Sequence, residues 1–360
     1  MKHQPGQIFS NILLLLSAMT LLASCASTES SSLQFSLNQT QAGRVWPDLP
    51  EVPRYRYAGQ LTGEDNFVSD EGEVSGFTSA MRWLAGLGSD NEEKNILQRP
   101  QGIAIDNEGR IFVSDVSRQA VFDFDVVNGE LHIWEWAQPG VHFIAPIGVA
   151  LGENGELLVA DAELGYVVRL DQEGKPLGII GEGILTRPTG VARDAEDGII
   201  YVADTRADDI KIFTDKGRLI KKLGRPGTAA GEFNAPTHLA FAGGKLYVAD
   251  TLNSRIQVFD DTGKVLKLFG ERGLYVGNMN RPKGVAVDDE GNIYIVESYQ
   301  DHLLIFNADG EFLLPIGGTG NGVGRFYLPA GIGIDRSNRI YVADMFNGRV
   351  VVFQYLGERE

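Results

Sequence analysis

The sequence predicts an all-β fold, a six-bladed β-propeller of four-stranded blades closed by an N-terminal strand. Three observations predict it. First, a unit opened by a proline recurs at Pro100, Pro146, Pro188, Pro236, Pro282 and Pro329, with spacings of 46, 42, 48, 46 and 47 residues. A period in this range with strands inside each unit indicates propeller blades rather than helical solenoids. Second, each unit holds short runs of β-branched and aromatic residues bounded by Gly and Asp clusters, the signature of strands joined by tight turns. Third, the last unit has strands near Gly331–Asp335, Ile340–Ala343 and Arg349–Tyr355 and no fourth, while an alternating strand, Arg54–Leu61, lies upstream of the first unit without a partner nearby. Joining the two closes the ring and removes the exposed edges of an open propeller.

Blade four shows the unit most clearly, over Asn234–Gly270. His238–Phe241 is its first strand and Gly243-Gly244 the turn. Leu246–Ala249 follows and ends in Asp250. Arg255–Phe259, a turn at Asp261-Thr262-Gly263, and Val265–Phe269 complete it. The pattern P-x-G, strand, D-x-x-G-x-I-Y-V-A-D-x-x-N-x-R-I-Q-V-F-D-x-x-G resembles the NHL repeat. His238 stands where that repeat has Gly, and blade two replaces D-x-x-N-x-R with Asp161-Ala-Glu-Leu-Gly165. The acid closing the second strand recurs as Asp115, Asp161, Asp204, Asp250, Glu297 and Asp344. Its expected role is to accept backbone N–H bonds within its own loop, rather than to hold a ring of metal ions.

Residues 1–24 read as a lipoprotein signal peptide. An apolar run, Ile12–Leu22, is too short to span a bilayer comfortably and ends in Leu22-Ala23-Ser24-Cys25. This resembles the bacterial lipobox. The resemblance implies that Cys25, the only cysteine, becomes a lipidated N-terminus carrying palmitate-type acyl chains. By likeness to Gram-negative lipoproteins, Ala26 rather than Asp after the cysteine implies the outer membrane, facing the periplasm. Residues 25–50 then read as the acylated cysteine and a Ser/Thr/Gln-rich flexible tether, and residues 51–360 as the propeller. Residues 62–99 form an insertion, in which Ser75–Gly88 places Phe77, Met81 and Leu84 at helical spacing.

A formal net charge of −16 argues against nucleic acid, whose binding neutralises phosphates, and against charge-driven docking on anionic lipid. The membrane contact expected is the lipid anchor alone. One cysteine leaves no intrachain disulfide and no cysteine-rich zinc site.

Long connections between blades and the loops joining second to third strands fall on one face, and minimal Asp/Asn/Gly turns such as Asp106–Gly109 and Asp288–Gly291 on the other. Long loops on a rigid scaffold are where binding concentrates. The ligand-binding candidates are therefore Arg118, Trp134, Trp136, Tyr166, Arg206, Asn253, Tyr299 and Phe346. The residue after each opening proline is expected to face the axial channel, which gives Gln101, Thr189, Thr237 and Lys283 beside the neutral Ile147 and Ala330, with His238 next to Thr237. The amidating lyase of peptide-hormone maturation resembles this repeat class and holds zinc with three histidines. Here His132, His142, His238 and His302 occupy unrelated repeat positions, so neither a metal nor a cofactor is expected. The reading is a lipid-anchored envelope protein that binds a protein, peptide or polysaccharide. The alternative is a small-molecule hydrolase or lyase of the same fold.

Overall fold

The computed structural model describes residues 33–37, 43–69 and 94–357. The signal peptide, Cys25 and the Ser75–Gly88 segment lie outside these residues. Five blades are four-stranded antiparallel sheets whose strands keep chain order from axis to rim. Their inner strands are Pro100–Ile105, Pro146–Leu151, Pro188–Asp194, Pro236–Ala242 and Pro282–Val287. Blade six is built from Ile332–Ile334, Arg339–Asp344 and Arg349–Tyr355, and its next strand is Tyr55–Leu61. That N-terminal strand pairs antiparallel with Arg349–Tyr355, from Val350 opposite Leu61 to Tyr355 opposite Tyr55. The upstream strand therefore closes the ring as its sequence predicts.

The second strands explain the apolar runs of the repeat. Leu157–Asp161 and Ile293–Glu297 are buried at every position, because each blade packs a neighbour on both faces. At the seam between blades five and six, the Tyr55 and Tyr294 hydroxyls lie 3.2 Å apart, and Tyr294 donates to Asp288 at 2.9 Å. Asp288 thus serves a buried network as well as its turn.

All six acids are fully buried, and Asp115, Asp161 and Glu297 accept N–H groups of their own loops as their spacing predicts. Asp115 accepts the N–H groups of Gln98 and Arg99 from the preceding connection and those of Ser117 and Arg118 from its own loop. Asp161 and Glu297 repeat the arrangement. Asp204, Asp250 and Asp344 accept backbone N–H groups from the preceding connection and pair instead with Lys211, Arg255 and Arg349 of their own blades. Such charge-assisted bonds satisfy a carboxylate that water cannot reach. Four residues after each acid the backbone turns left-handed, at Gln119, Gly165, Asp208, Ser254, Asp301 and Gly348, with φ between 52° and 76°. Blade two therefore folds like the others despite its divergent loop.

Around the axis, glycines two residues after the prolines let the inner strands approach. A Cβ at Gly102, Gly148, Gly190, Gly284 or Gly331 would fall under 3.0 Å from a carbonyl oxygen of the next blade. Space, not backbone angle, requires glycine there. Blade four alone departs, with His238.

The stretch read as a flexible tether needs correction. Leu33–Phe35 pairs with Phe67–Ser69, and Phe35 and Leu37 pack on the core between blades six and one. Val45–Trp46 adds a fifth strand to blade six, with Trp46 only 8% exposed against Phe353. Apolar residues spaced through a polar stretch are enough to dock it.

Candidate ligand-binding face

Exposed apolar side chains are distributed unevenly. On the face of the interblade connections, Leu274 is 92% exposed, Tyr275 83%, Tyr299 69%, Phe346 49%, Tyr327 47% and Trp136 45%. At the opposite end, among the described residues, Val127 in a strand-to-strand turn and Leu49 and Val52 in the loop before Tyr55 are exposed large apolar side chains, none of them aromatic. The turns there are polar because each aspartate bonds its own backbone, as Asp106 does with Glu108 and Arg110.

The six sequence-predicted loop positions separate by their offset from the clamping acid. Two residues after it the side chain is exposed in every blade, and Arg206, Tyr299 and Phe346 stand there. Three residues after it the side chain is engaged. Arg118 donates to Asn95 at 3.2 Å, and Asn253 bonds the Gly227 carbonyl at 2.9 Å and Asp250 at 2.8 Å. Five residues after it the side chain is inside: Tyr166 is buried and its hydroxyl accepts from Gln138 at 2.9 Å. Arg118 and Asn253 therefore hold loops, and Tyr166 packs between blades. The sequence already contained this signal in the repeat offset.

Trp134 also needs correction. It closes the outer strand Glu130–Trp134, is 7% exposed, and packs on Phe112 with ring centroids 5.5 Å apart. Gly174 of blade two leaves room for its indole, so Trp134 is interblade core. Trp136, two residues on, is exposed and stacks on His142 at 3.8 Å between centroids.

The structure revises the channel-lining set as well. A cavity of about 530 Å³ occupies the axis, lined by the inner strands from Gly102 to Ile105 and their equivalents, with Asn107, Arg193 and Arg336 at its mouth. It opens among the short turns. His238 lines it, whereas Gln101, Thr189, Thr237 and Lys283 do not. These residues precede the glycine ring and so lie on its interblade side. Thr189 and Thr237 are tied into blade-to-blade bonds, with Thr189 donating to the Thr237 carbonyl at 2.9 Å and Thr237 paired with Thr251 at 2.7 Å. Gln101 is buried at 6% exposure.

Lys283 differs. It is half-buried, and the side chain has no acidic partner among the described residues. Burial, reinforced by the nearby charges of Arg281 and Arg99, lowers its pKa to about 8. Arg99 lies over the Phe346 ring, 5.3 Å from its centroid. Behind Lys283, both ring nitrogens of His238 are shielded from solvent and lack a hydrogen-bond partner. Burial, with Lys283 adding to it, lowers the imidazole pKa to about 3, so His238 is neutral at neutral pH. The other histidines among the described residues are scattered: His132 on an outer strand with Asp123 and Glu130, His142 in an interblade connection, His302 on a third strand. Among the described residues, no group of three or more His, Cys, Asp or Glu side chains is arranged to hold a metal ion.

Comparison with known proteins agrees with this architecture. Residues 276–358 match the family described as a 6-bladed beta-propeller, and residues 97–124 match the NHL repeat. A probable peptidyl-alpha-hydroxyglycine alpha-amidating lyase of Caenorhabditis elegans is 24% identical over 190 residues, 48% of this chain and 51% of that protein. Human NHL-repeat-containing protein 4 is 34% identical over 74 residues, 21% of this chain and 58% of that protein. The chain thus spans between half and three-fifths of the length of these curated relatives. Among solved structures, a gluconolactonase from Xanthomonas campestris superposes with a TM-score of 0.55 at 16% identity, covering 88% of this chain and 98% of that one. The chain carries NHL-type repeats in a six-bladed propeller.

Proposed function

We propose that this propeller is a binding scaffold that captures a protein, peptide or polymer on the face of its interblade connections. We further propose that a lipid on Cys25 holds it at the cell envelope, in the outer membrane. One observation carries the binding reading: the exposed aromatic side chains Trp136, Tyr275, Tyr299, Tyr327 and Phe346 gather on that face, on loops tied down by buried acids, while the opposite strand-to-strand turns are built on Asp, Asn and Gly. Large, stiff side chains on a preorganised surface are the usual anchors of an interface. Arg206 and Tyr299 test it. Replacing both by Ala is expected to weaken partner capture from envelope extract at least tenfold, with the melting temperature unchanged. Lys216→Ala, in an exposed turn on the far face, is expected to leave capture intact. Loss of capture in the turn variant and retention in the loop variant would place the site on the wrong face.

A second reading, hydrolysis or lysis of a small molecule, draws on the named activities of similar proteins. It also draws on Lys283, an amine whose pKa of about 8 suits proton transfer. Turnover of lactones or hydroxyglycine peptides that Lys283→Met abolishes would favour it over the scaffold.

A further inference from the structure

We infer that the axial end of this face is a receptor for one oxyanion group, a carboxylate or phosphate carried by the captured partner, seated among Lys283, Arg281 and Arg99 above His238. The inference rests on the proposed binding face and names the chemistry that its centre selects.

Four features support it. Arg281 and Lys283 flank Pro282, where the inner strand of blade five begins, and Arg99 holds the equivalent place before Pro100 of blade one. The repeat therefore carries cations from two blades to the same end of the axis. The nearest clamping acids are engaged by backbone N–H groups rather than by these three side chains. Glu297 accepts the N–H groups of Arg281 and Gln300, and Asp115 those of four residues. Three cationic side chains thus meet in a chain of net charge −16, and no acid among the described residues balances Lys283. Arg99 and Arg281 are exposed and Lys283 is half-buried, and like charges held close together are relieved when an anion joins them.

The imidazole of His238 is an independent sign. A buried polar group without a partner is uncommon in native proteins and calls for a missing one. Neutral His238 offers one N–H and one acceptor, and neither nitrogen is bonded within the described structure. Five blades have glycine at this position, so the fold itself does not require an imidazole there. The Lys283 charge acts on this imidazole, so an oxyanion bonded to Lys283 would be near the unpartnered His238. The exposed Phe346 ring beside Arg99 offers an apolar wall for whatever carries the anion.

The test titrates the full-length protein with inorganic phosphate and, in a second arm, with acetyl-triglycine as free acid or as amide. One saturable site on the wild-type protein is expected by about 10 mM of a probe, ten times a dissociation constant of about 1 mM. The peptide amide is expected not to bind. Lys283→Met should weaken binding at least tenfold, while Lys216→Met should not. Phosphate binding without peptide binding assigns a phosphate-bearing partner, and the reverse a chain-terminal carboxylate. No saturable binding of either probe, or equal binding by the two lysine variants, would overturn the inference. The result is separable from the scaffold reading. Loss of the probe in Lys283→Met, with capture intact in the Arg206 and Tyr299 variant, would leave the receptor standing and remove the rim.

Discussion

At the scale of single residues, His238 shows how one substitution in a repeat changes the physics of a site. Its five counterparts are glycines that let carbonyl groups pass at close range. An imidazole there is shielded and unpartnered, and burial, with the Lys283 charge adding to it, holds its pKa down at about 3 against an ordinary value near 6.5. The unfolded chain therefore binds a proton between pH 6.5 and about 3 that the folded protein refuses. Stability from this group is fully present above pH 6.5 and is lost as pH falls, by at most about 1.4 kcal/mol per pH unit. Urea unfolding at pH 7 and pH 5 is expected to show a smaller loss of stability in His238→Gly than in the wild type. An identical loss in both proteins would mean that the imidazole accepts a proton in the folded state. Lys283 is the other charged group acting on it.

The element that decides the integrity of the ring is the N-terminal strand Tyr55–Leu61. It gives blade six its outer strand and places Tyr55 against Tyr294 at the seam with blade five. Around it lie the smaller additions Val45–Trp46 and Leu33–Phe35. Three truncations should therefore differ in graded fashion. Removing residues 26–32 is expected to leave the melting temperature unchanged. Removing residues 26–43 should lower it by several degrees, since Phe35 and Leu37 leave the core, and 1 kcal/mol is about 2–4 °C in a domain of 150–250 residues. Removing residues 26–61 should abolish a cooperative melt, because it strips a buried strand and exposes the edge of Arg349–Tyr355. Calorimetry of the three distinguishes them, and equal melts for the second and third would deny Tyr55–Leu61 its closing role.

For the whole molecule, the two faces of the propeller have different uses. The turn face opens the larger concavity, about 530 Å³, yet its mouth combines short polar turns with Arg193 already paired to Asp215 at 2.6 Å. The interblade face carries the exposed Trp136, Tyr275, Tyr299, Tyr327 and Phe346 and the Lys283 amine, which no acid among the described residues balances. A lipid on Cys25 would tether the assembly to a membrane through the segment that precedes blade six. Cys25→Ser is expected to abolish palmitate labelling and move the protein from the membrane to the soluble fraction. Continued labelling of the variant would refute the anchor.

Blade number, the order of strands and the origin of the closing strand were legible in the sequence. They depend on local periods and turn residues that recur in every repeat, from Pro100 to Asp344. The role of the acids was legible in part: Asp115, Asp161 and Glu297 bond the loops they join, whereas Asp204, Asp250 and Asp344 take cations from the third strand, Lys211, Arg255 and Arg349. Which loop side chains are free was only partly legible. Trp134 and Tyr166 look like surface aromatics in one dimension and are interblade core in three, because burial depends on a neighbouring blade some forty residues away. The same holds at the axis. The meeting of Lys283 with Arg99 joins chain positions nearly two hundred residues apart, and ring closure alone brings them together.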